Sequence, residues 1–141
     1  MRLIDADILS YALYDESPFH EAAWRYVKRG LAGELEMAVT TVTILETYNV
    51  LYWYYRVRPR KLLLRKLSLV VEGLRAVPAS ARGVEIALAR NIPLGDGFLI
   101  ATALDERLPV IVSNDRHIAK MAPKYGLIVE NPLKMDRTAS G

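Results

Sequence analysis

Short apolar runs alternate along the chain with longer segments in which apolar residues recur at helical spacing. The runs have the length and the turn-flanked ends of buried strands. They lie at 2–4, 36–40, 74–78, 108–112 and 127–129. The first predicted helix directly follows Asp5. The others cover about 18–31, 42–55, 59–73, 80–91, 98–106 and 116–121. This alternation predicts an α/β fold of three layers, α/β/α, in which helices cover both faces of a parallel sheet.

Local signals refine two of these helices. Ser17 before Pro18 is typical of an N-cap followed by the first helical residue, which predicts that the second helix begins here. In the helix over 42–55, apolar residues at helical spacing predict a buried stripe, formed by Ile44, Leu45, Tyr48 and Leu51. Glu46 then lies on the side of the helix that carries Val42, Val50 and Trp53.

The composition is that of a globular protein. The chain has 141 residues, of which 52% are hydrophobic and 25% charged, with a net charge of +3. We expect one domain over 1–135 and a polar tail over 136–141. No apolar run approaches the ~20 residues of a membrane span, and no signal peptide is expected. The absence of cysteine excludes disulfides and thiolate metal sites, and it fits a cytoplasmic protein.

Four acidic residues occupy related places in this pattern. Asp5 and Asp115 each follow a buried strand and precede a helix, while Asp96 opens a helix after the turn 92–97. Glu46 lies early in the helix that follows the second strand. Each acid by itself is equally well explained as a helix cap or as a surface acid paired with an arginine. If the carboxyl ends of the strands share one edge of the sheet, however, the four converge in one crevice.

A crevice with four carboxylates indicates a metal ion. Packed carboxylates repel one another, and some would hold protons unless a cation is bound. A ligand set of oxygens alone favours a hard ion, Mg²⁺ or Mn²⁺. Such a site suits the in-line attack of a metal-activated water on a phosphodiester.

A basic stretch lies away from these acids in the sequence. Residues 56–66 contain six Arg and Lys residues and no acid, and the aromatic residues 52–55 precede them directly. Basic groups beside aromatic rings suit a nucleic-acid backbone and its unstacked bases. We therefore predict RNA binding by Arg56, Arg58, Arg60 and Lys61. The alternative is a solvated helix end whose aromatic neighbours belong to the core or to a dimer interface.

Four short motifs occur in order along the chain. Residues 3–9 read LIDADIL, 40–46 read TTVTILE, 94–103 read LGDGFLIATA and 112–118 read VSNDRHI. In content, order and spacing they resemble the motifs of PIN-domain ribonucleases, of the kind found as toxins in prokaryotic toxin–antitoxin pairs. The resemblance covers nearly the whole chain.

The resemblance implies a function for each acid. Asp5, Glu46, Asp96 and Asp115 would bind the metal and carry catalysis. Auxiliary roles would fall to Asp7, Thr40, Ser113 and Asn114. Asp7 stands where many members have Asn, which adds a negative charge, and Gly97 stands where Ala is usual, which should loosen the helix start. The resemblance further implies a five-stranded sheet, an RNA substrate, a homodimer and an antitoxin that plugs the active site.

Two other functions fit part of the sequence. Asp5 and Asp7 after a strand also resemble the nucleophile and general acid of a haloacid-dehalogenase-type phosphatase, with Thr40 as its hydroxyl. That chemistry needs a lysine from the middle of the fold, and no lysine lies between Lys66 and Lys120. A non-catalytic interaction module is the second alternative, and it predicts that loss of the acids leaves function intact.

Overall fold

Five parallel strands form the central sheet of the computed structural model, which describes residues 1–135. The strands are β1 (Arg2–Ile4), β2 (Met37–Thr40), β3 (Arg75–Val77), β4 (Val110–Val112) and β5 (Ile128–Glu130). Their order in the sheet is β3-β2-β1-β4-β5, and all four pairings are parallel. The predicted α/β fold with a five-stranded parallel sheet is therefore confirmed. The predicted tail, 136–141, lies outside the described residues.

Helices cover the sheet on both faces. They are α1 (Ala6–Leu13), α2 (His20–Leu31), α3 (Thr41–Asn49), α4 (Arg60–Gly73), α5 (Gly83–Arg90), α6 (Leu94–Asp105) and α7 (Arg116–Met121). A π-helical turn, Val50–Tyr54, extends α3, and a 3₁₀ turn, Ala122–Tyr125, extends α7. No helix within residues 1–135 is long and apolar enough to cross a membrane.

Side chains of β1 alternate between the two apolar clusters that hold these layers together. Leu3 packs with Ile100 of α6 and Ile118 of α7. Ile4 packs on the other face, in the cluster that contains residues of α1, α2 and α4. Because β1 is the middle strand and is covered on both faces, the residue that follows it is held firmly in place.

The strand order creates a switch point between β1 and β4. The chain proceeds outward from β1 through β2 to β3 and then returns to β4 on the other side of β1. In open parallel sheets, a crevice forms at the carboxyl ends of the strands where the order reverses, and ligands bind there. Asp5 directly follows β1 and Asp115 lies three residues beyond β4, so both reach this crevice.

Three helix starts differ from the prediction by two residues or more, and one of them is that of α5, which begins at Gly83 instead of Ser80. Helix α2 begins at His20 instead of Pro18, and the Ser17 hydroxyl accepts a hydrogen bond from the Phe19 N–H, which stabilises the preceding turn. Helix α6 begins at Leu94, four residues earlier than predicted. The glycines beside Asp96 predict a turn, because local sequence cannot distinguish a turn glycine from one that permits close packing.

The packing of α5 against α6 explains Gly97. A Cβ at Gly97 would lie 2.3 Å from the carbonyl oxygen of Gly83, and a Cβ at Gly83 would lie 2.5 Å from Phe98. Glycine at both places lets the two helices approach closely. Gly97 therefore serves a packing contact between α5 and α6.

The buried side of α3 also differs from the prediction. Leu45 is 59% exposed, whereas Thr43, Thr47 and Leu51 are buried. The Thr47 hydroxyl donates to the carbonyl of Thr43 at 2.8 Å, so it satisfies its hydrogen-bonding need within the helix. A search for apolar residues at helical spacing does not find the buried side of α3, because its threonines count as polar.

Candidate active site

Asp5 is held in place by backbone on both sides. Its N–H donates to the carbonyl of Val112 at 2.9 Å, so the pairing of β1 with β4 continues up to this residue. Its Oδ1 accepts from the N–H of Ala6 at 2.7 Å and caps α1. Its Oδ2 accepts from the hydroxyl of Ser113 at 2.7 Å.

Asp115 caps α7 in a similar way. Its Oδ1 accepts from the N–H groups of His117 at 2.6 Å and Ile118 at 3.2 Å. The hydroxyl of Ser113 accepts from the Asp115 N–H at 2.9 Å while it donates to Asp5. Ser113 is therefore the bridge that links Asp5 to Asp115 and orients both.

Asp96 and Glu46 reach the crevice from helices. Asp96 lies in the first turn of α6 and is 7% exposed, and its Oδ2 is buried with no hydrogen-bond partner. The prediction that Asp96 opens the helix is corrected in one respect: Pro93 occupies the N-cap position, so Asp96 is not a cap. Glu46 lies in the second turn of α3, against the backbone of Gly95, where a Cβ would stand 2.5 Å from its Oε2.

Asp7 is a fifth acid at the same place. Its Oδ1 accepts from the N–H of Ile8 at 2.7 Å, and its Oδ2 accepts from the N–H of Asn114 at 2.9 Å. The Asn114 side chain in turn accepts from the amide of Asn131 at 2.7 Å. Nothing in the sequence pointed to Asn131, since its partner becomes a neighbour only when β4 and β5 pair.

The pKa values show how strongly these acids affect one another. Burial raises the pKa of Asp96 to about 7, and the charges of Asp115 and Asp5, followed by that of Glu46, act in the same direction. Burial followed by the charge of Asp5 raises the pKa of Asp7 to about 8.

The pKa values of Asp5 and Glu46 are raised as well. Burial raises the pKa of Asp5, against the hydrogen bonds from Ser113 and Ala6, and the charge of Asp115 adds to the increase. Burial and the charge of Asp5 raise the pKa of Glu46. The predicted convergence of the four acids is therefore seen in the fold, and it leaves the crevice with more negative charge than its surroundings neutralise.

Thr40 is the auxiliary residue that stands apart. Its hydroxyl accepts from the N–H of Thr43 at 2.9 Å and contacts the Thr43 hydroxyl at 3.1 Å. Thr40 thus caps α3, and within the described residues its hydrogen bonds do not extend to the acids. Ser113, Asn114 and Asp7, by contrast, are all bonded into the acid cluster.

The donor set suits a hard divalent ion. Every candidate ligand is a carboxylate oxygen, and the buried, unpartnered Oδ2 of Asp96 is the kind of atom that a cation satisfies. Within residues 1–135, no group of three or more His, Cys, Asp or Glu side chains forms a ready-made metal site. The fit thus lies in the chemistry and charge of the donors, since Asp5 and Asp115 direct oxygens to hydrogen bonds with Ser113 and α7.

The predicted RNA-binding residues form a different kind of surface. The Arg58 guanidinium lies 3.6 Å from the ring centroid of Tyr52 and donates to that residue's carbonyl at 2.6 Å. Arg60 donates to the hydroxyls of Tyr48 at 3.1 Å and Tyr52 at 3.0 Å. Arg56 and Lys61 are exposed. The basic stretch is therefore a surface whose arginines are partly fixed by aromatic rings.

Comparison with known proteins identifies the family. Residues 2–124 match the family model of the PIN domain, so the chain belongs to this family. PIN-domain proteins are nucleases, which generally use divalent metal ions. A search of the curated proteins finds no significant match.

Solved structures of low sequence identity share the fold. PAE2754 from Pyrobaculum aerophilum is 23% identical, with 99% of this chain and 97% of that chain covered and a TM-score of 0.66. A toxin–antitoxin complex from Klebsiella pneumoniae is 19% identical, with 94% and 98% covered and a TM-score of 0.63. Mycobacterium tuberculosis VapC20, described as a sarcin-ricin loop cleaving toxin, is 12% identical, with 91% and 97% covered and a TM-score of 0.67.

Proposed function

We propose that the protein is a Mg²⁺- or Mn²⁺-dependent endoribonuclease and the toxin of a toxin–antitoxin pair. The observation that supports this most is the convergence of Asp5, Glu46, Asp96 and Asp115 at the switch point of the sheet. These four would be the metal-binding and catalytic acids. A cluster of acids that raise one another's pKa is more stable with a cation than without one.

The chain's own residues have distinct tasks in this proposal. The ion would be held by Asp5, Glu46, Asp96 and Asp115. Ser113 keeps Asp5 and Asp115 in position through its hydrogen bonds to both. When bound, the divalent ion supplies a nucleophilic water at neutral pH and offsets charge on the phosphodiester. Asp7 and Asn114 support the site from one side, while Thr40 positions Glu46 indirectly by capping α3.

RNA is the proposed substrate. The lining of an open depression of about 820 Å³ includes three basic residues, Arg116, Lys120 and Lys134, and two acids, Asp115 and Glu130. Cations beside the acids suit a phosphate chain that crosses the site. The similarity to VapC20, which is described as cleaving the sarcin-ricin loop, supports RNA over other phosphodiesters.

An antitoxin and a second copy of the chain are the proposed partners. The fold is shared with proteins solved in toxin–antitoxin complexes, which supports the antitoxin. Expression together with the product of the adjacent gene should relieve growth inhibition that the chain causes alone in the cytoplasm. Light scattering of the purified chain should give the mass of a homodimer.

RNA cleavage tests the proposed activity. Purified protein is incubated with single-stranded RNA and Mg²⁺ or Mn²⁺, with and without EDTA. We expect internal cuts that leave 5′-phosphates and that cease in EDTA. Undiminished cleavage in EDTA would refute the metal dependence, and an absence of cleavage on every RNA tested would refute the nuclease.

The alternatives predict other results. A phosphatase would form an aspartyl-phosphate on Asp5 and would depend on Asp7 as its acid, whereas a nuclease depends on Glu46. Activity that survives Glu46→Gln and is lost in Asp7→Asn would therefore favour the phosphatase. A non-catalytic module would keep its function in both variants. Membership of the PIN family weighs against both alternatives.

A further inference from the structure

Five aromatic side chains form a continuous patch on the outer side of α1, and we call this patch the aromatic strip. Its members are Tyr11, Tyr14, Phe19, Tyr54 and Tyr55. Ring centroids are 5.1 Å apart between Tyr11 and Phe19, 4.4 Å between Tyr14 and Tyr55, and 4.8 Å between Tyr54 and Tyr55. Tyr11 and Tyr14 are three residues apart at the end of α1, so the two groups of rings lie side by side.

The aromatic strip begins at the acid cluster. Asp7 and Tyr11 are spaced i and i+4, so they lie on one side of α1, and Tyr11 follows Asp7 at about 6 Å along the helix axis. Tyr14 is the C-cap residue at the end of the same helix. The Tyr11 phenol interacts with the side chain of Asn114, whose N–H holds Asp7. A polymer with its scissile bond at the acids could therefore continue directly onto these rings.

The strip combines fixed rings with exposed ones. Tyr11 and Tyr14 pack partly against the core cluster of α1, α2 and α4, which limits their motion. Tyr54 is 77% exposed and Tyr55 is 37% exposed. Contiguous aromatic surface of this kind is typical of a binding site, because a monomer seldom leaves it in water.

Basic residues border the strip on one side. A depression of about 250 Å³ is lined by Tyr14, Tyr55 and the cations Arg56, Arg58 and Lys66. Asp15 and Glu16 also line it, and Glu16 accepts a hydrogen bond from the Tyr14 hydroxyl at 2.9 Å. The three cations of this depression outnumber its two acids. A chain of phosphates along the basic side would place its bases over the rings.

We propose that the aromatic strip binds single-stranded RNA next to the cleavage site, with bases stacked on the tyrosines and phosphates beside the basic stretch. Stacking on aromatic rings requires unpaired bases and tolerates any sequence. The strip therefore selects RNA segments that are single-stranded on one side of the cut. This inference rests on the proposed function, because it names how that site holds its substrate.

The first experiment measures binding without cleavage. Fluorescence anisotropy in EDTA gives the Kd of a short labelled single-stranded RNA for wild type, Tyr54→Leu, Tyr55→Leu and the corresponding Phe variants. Each Leu variant should bind about tenfold more weakly, whereas each Phe variant should stay within about twofold, because the ring stacks and the hydroxyl does not. The Phe variants keep the measurement valid if a Leu variant fails to fold.

Tyr125→Leu is the matched control. Tyr125 lies just before β5, at the edge of the sheet opposite the acids, and Arg90 stacks on its ring at 5.3 Å. This control removes a tyrosine that has a basic neighbour but lies outside the strip, so the Kd should not change. A fall in affinity equal to that of the strip variants would overturn the proposal.

The second experiment removes bases instead of rings. A set of RNAs is made in which each carries one abasic site at a different position. At one of these positions the loss of the base should weaken binding to wild type about tenfold. The same abasic RNA should bind Tyr54→Leu no worse than the intact RNA does, because ring and base form one contact and their losses are not additive. Additive losses at every position would show that no base stacks on Tyr54.

The outcomes separate this inference from the proposed function. If wild type cuts no RNA with Mg²⁺ or Mn²⁺, the proposed function fails before any variant is compared. If wild type cuts RNA and the Leu variants bind and cut as wild type does, the strip proposal alone is refuted. Variants that keep RNA affinity but lose binding to an antitoxin would also refute it, since the strip would then be a protein interface.

Discussion

The acid cluster differs in construction from the basic stretch, 56–66, and the aromatic side chains that contact it, which we call the aromatic–basic surface. Asp5 and Asp115 follow paired strands and cap helices, so backbone hydrogen bonds determine their positions. Arg58 and Arg60 are held by the side chain and carbonyl of Tyr52 on an exposed surface. The first region gains geometric precision and loses stability through charge repulsion. The second has freedom to adapt and is expected to contribute mainly affinity.

This contrast predicts different outcomes for substitutions in the two regions. Substitutions of the acids should strongly reduce cleavage, and they should increase the stability of the metal-free fold. Changes in the aromatic–basic surface should alter binding and salt dependence while metal binding stays the same.

The largest effect is expected for Asp96→Asn. Cleavage should be abolished, because the variant loses a proposed metal ligand. Above pH 7, where Asp96 is ionised, the metal-free fold should be stabilised by ~1 kcal/mol, since one charge leaves a cluster in which the acids raise one another's pKa. With Mg²⁺ the order should reverse, because wild type gains binding free energy that the variant lacks.

Thermal melting with EDTA and with Mg²⁺ measures the stability difference between the variant and wild type without and with the metal. Because Asp96 makes no capping hydrogen bond, the loss of a cap does not confuse the result. If Asp96→Asn melts below wild type in EDTA and both proteins gain equally from Mg²⁺, Asp96 does not belong to a metal site.

A smaller effect on cleavage is expected for Gly95→Ala. The added Cβ would stand 2.5 Å from Oε2 of Glu46, so this carboxylate must move. A displacement of about 1 Å in a catalytic group costs up to about a hundredfold in rate. The fold itself should melt no lower than wild type, because Ala favours a helix over Gly by roughly 1 kcal/mol.

Gly97→Ala is the matched control. It adds the same methyl group two residues further along α6, but the new atom meets the backbone of Gly83, which cannot move as a side chain does. We therefore expect Gly97→Ala to melt clearly lower than wild type. Equal effects of the two variants on melting and on cleavage would contradict the assignment of Glu46 to the site.

The aromatic–basic surface should respond to charge removal with a loss of affinity. Replacing Arg58, Arg60 and Lys61 by Ala should weaken RNA binding several-fold and reduce the slope of log K against log salt by about two, at ~0.7 for each phosphate contact. Arg90→Ala, which removes a guanidinium stacked on Tyr125, is the control. An unchanged salt slope in the triple variant would make 56–66 an ordinary solvated helix end.

The last effect, which concerns stability alone, is a dependence on pH. Asp96 and Asp7 have folded-state pKa values of about 7 and about 8, above the ~4 of an unfolded Asp. The folded state therefore binds protons more tightly, and the stability that this provides is present below about pH 4 and lost as pH rises towards 8. In EDTA, the melting temperature should therefore fall as the pH rises from 5 to 8.

Asp96→Asn should show a flatter pH profile than wild type, because one of the two titrating groups is gone. Mg²⁺ should raise the melting temperature of wild type most at the high end of this range, where the acids are ionised. A metal-free profile that rises steadily from pH 5 to pH 8 would contradict the raised pKa values.

Much of the fold and part of the site could be predicted from the sequence alone. The alternation of apolar runs with helical periods determined the α/β class, because burial on a strand or on a helix leaves a local repeat. Asp5 and Asp115 could be placed at the ends of strands for the same reason. The four motifs, in order, were sufficient to indicate the family that the match over 2–124 confirms.

The tertiary structure decided what depends on contacts between distant residues. The order β3-β2-β1-β4-β5 puts Asp5 beside Asp115, and Ser113 then bridges them. Helix α6 begins at Leu94 and α3 turns Thr43 and Thr47 inward because close packing against neighbouring elements outweighs local propensity. Glu46 and Gly95 meet across 49 residues of sequence, and no local pattern records a contact made at that distance.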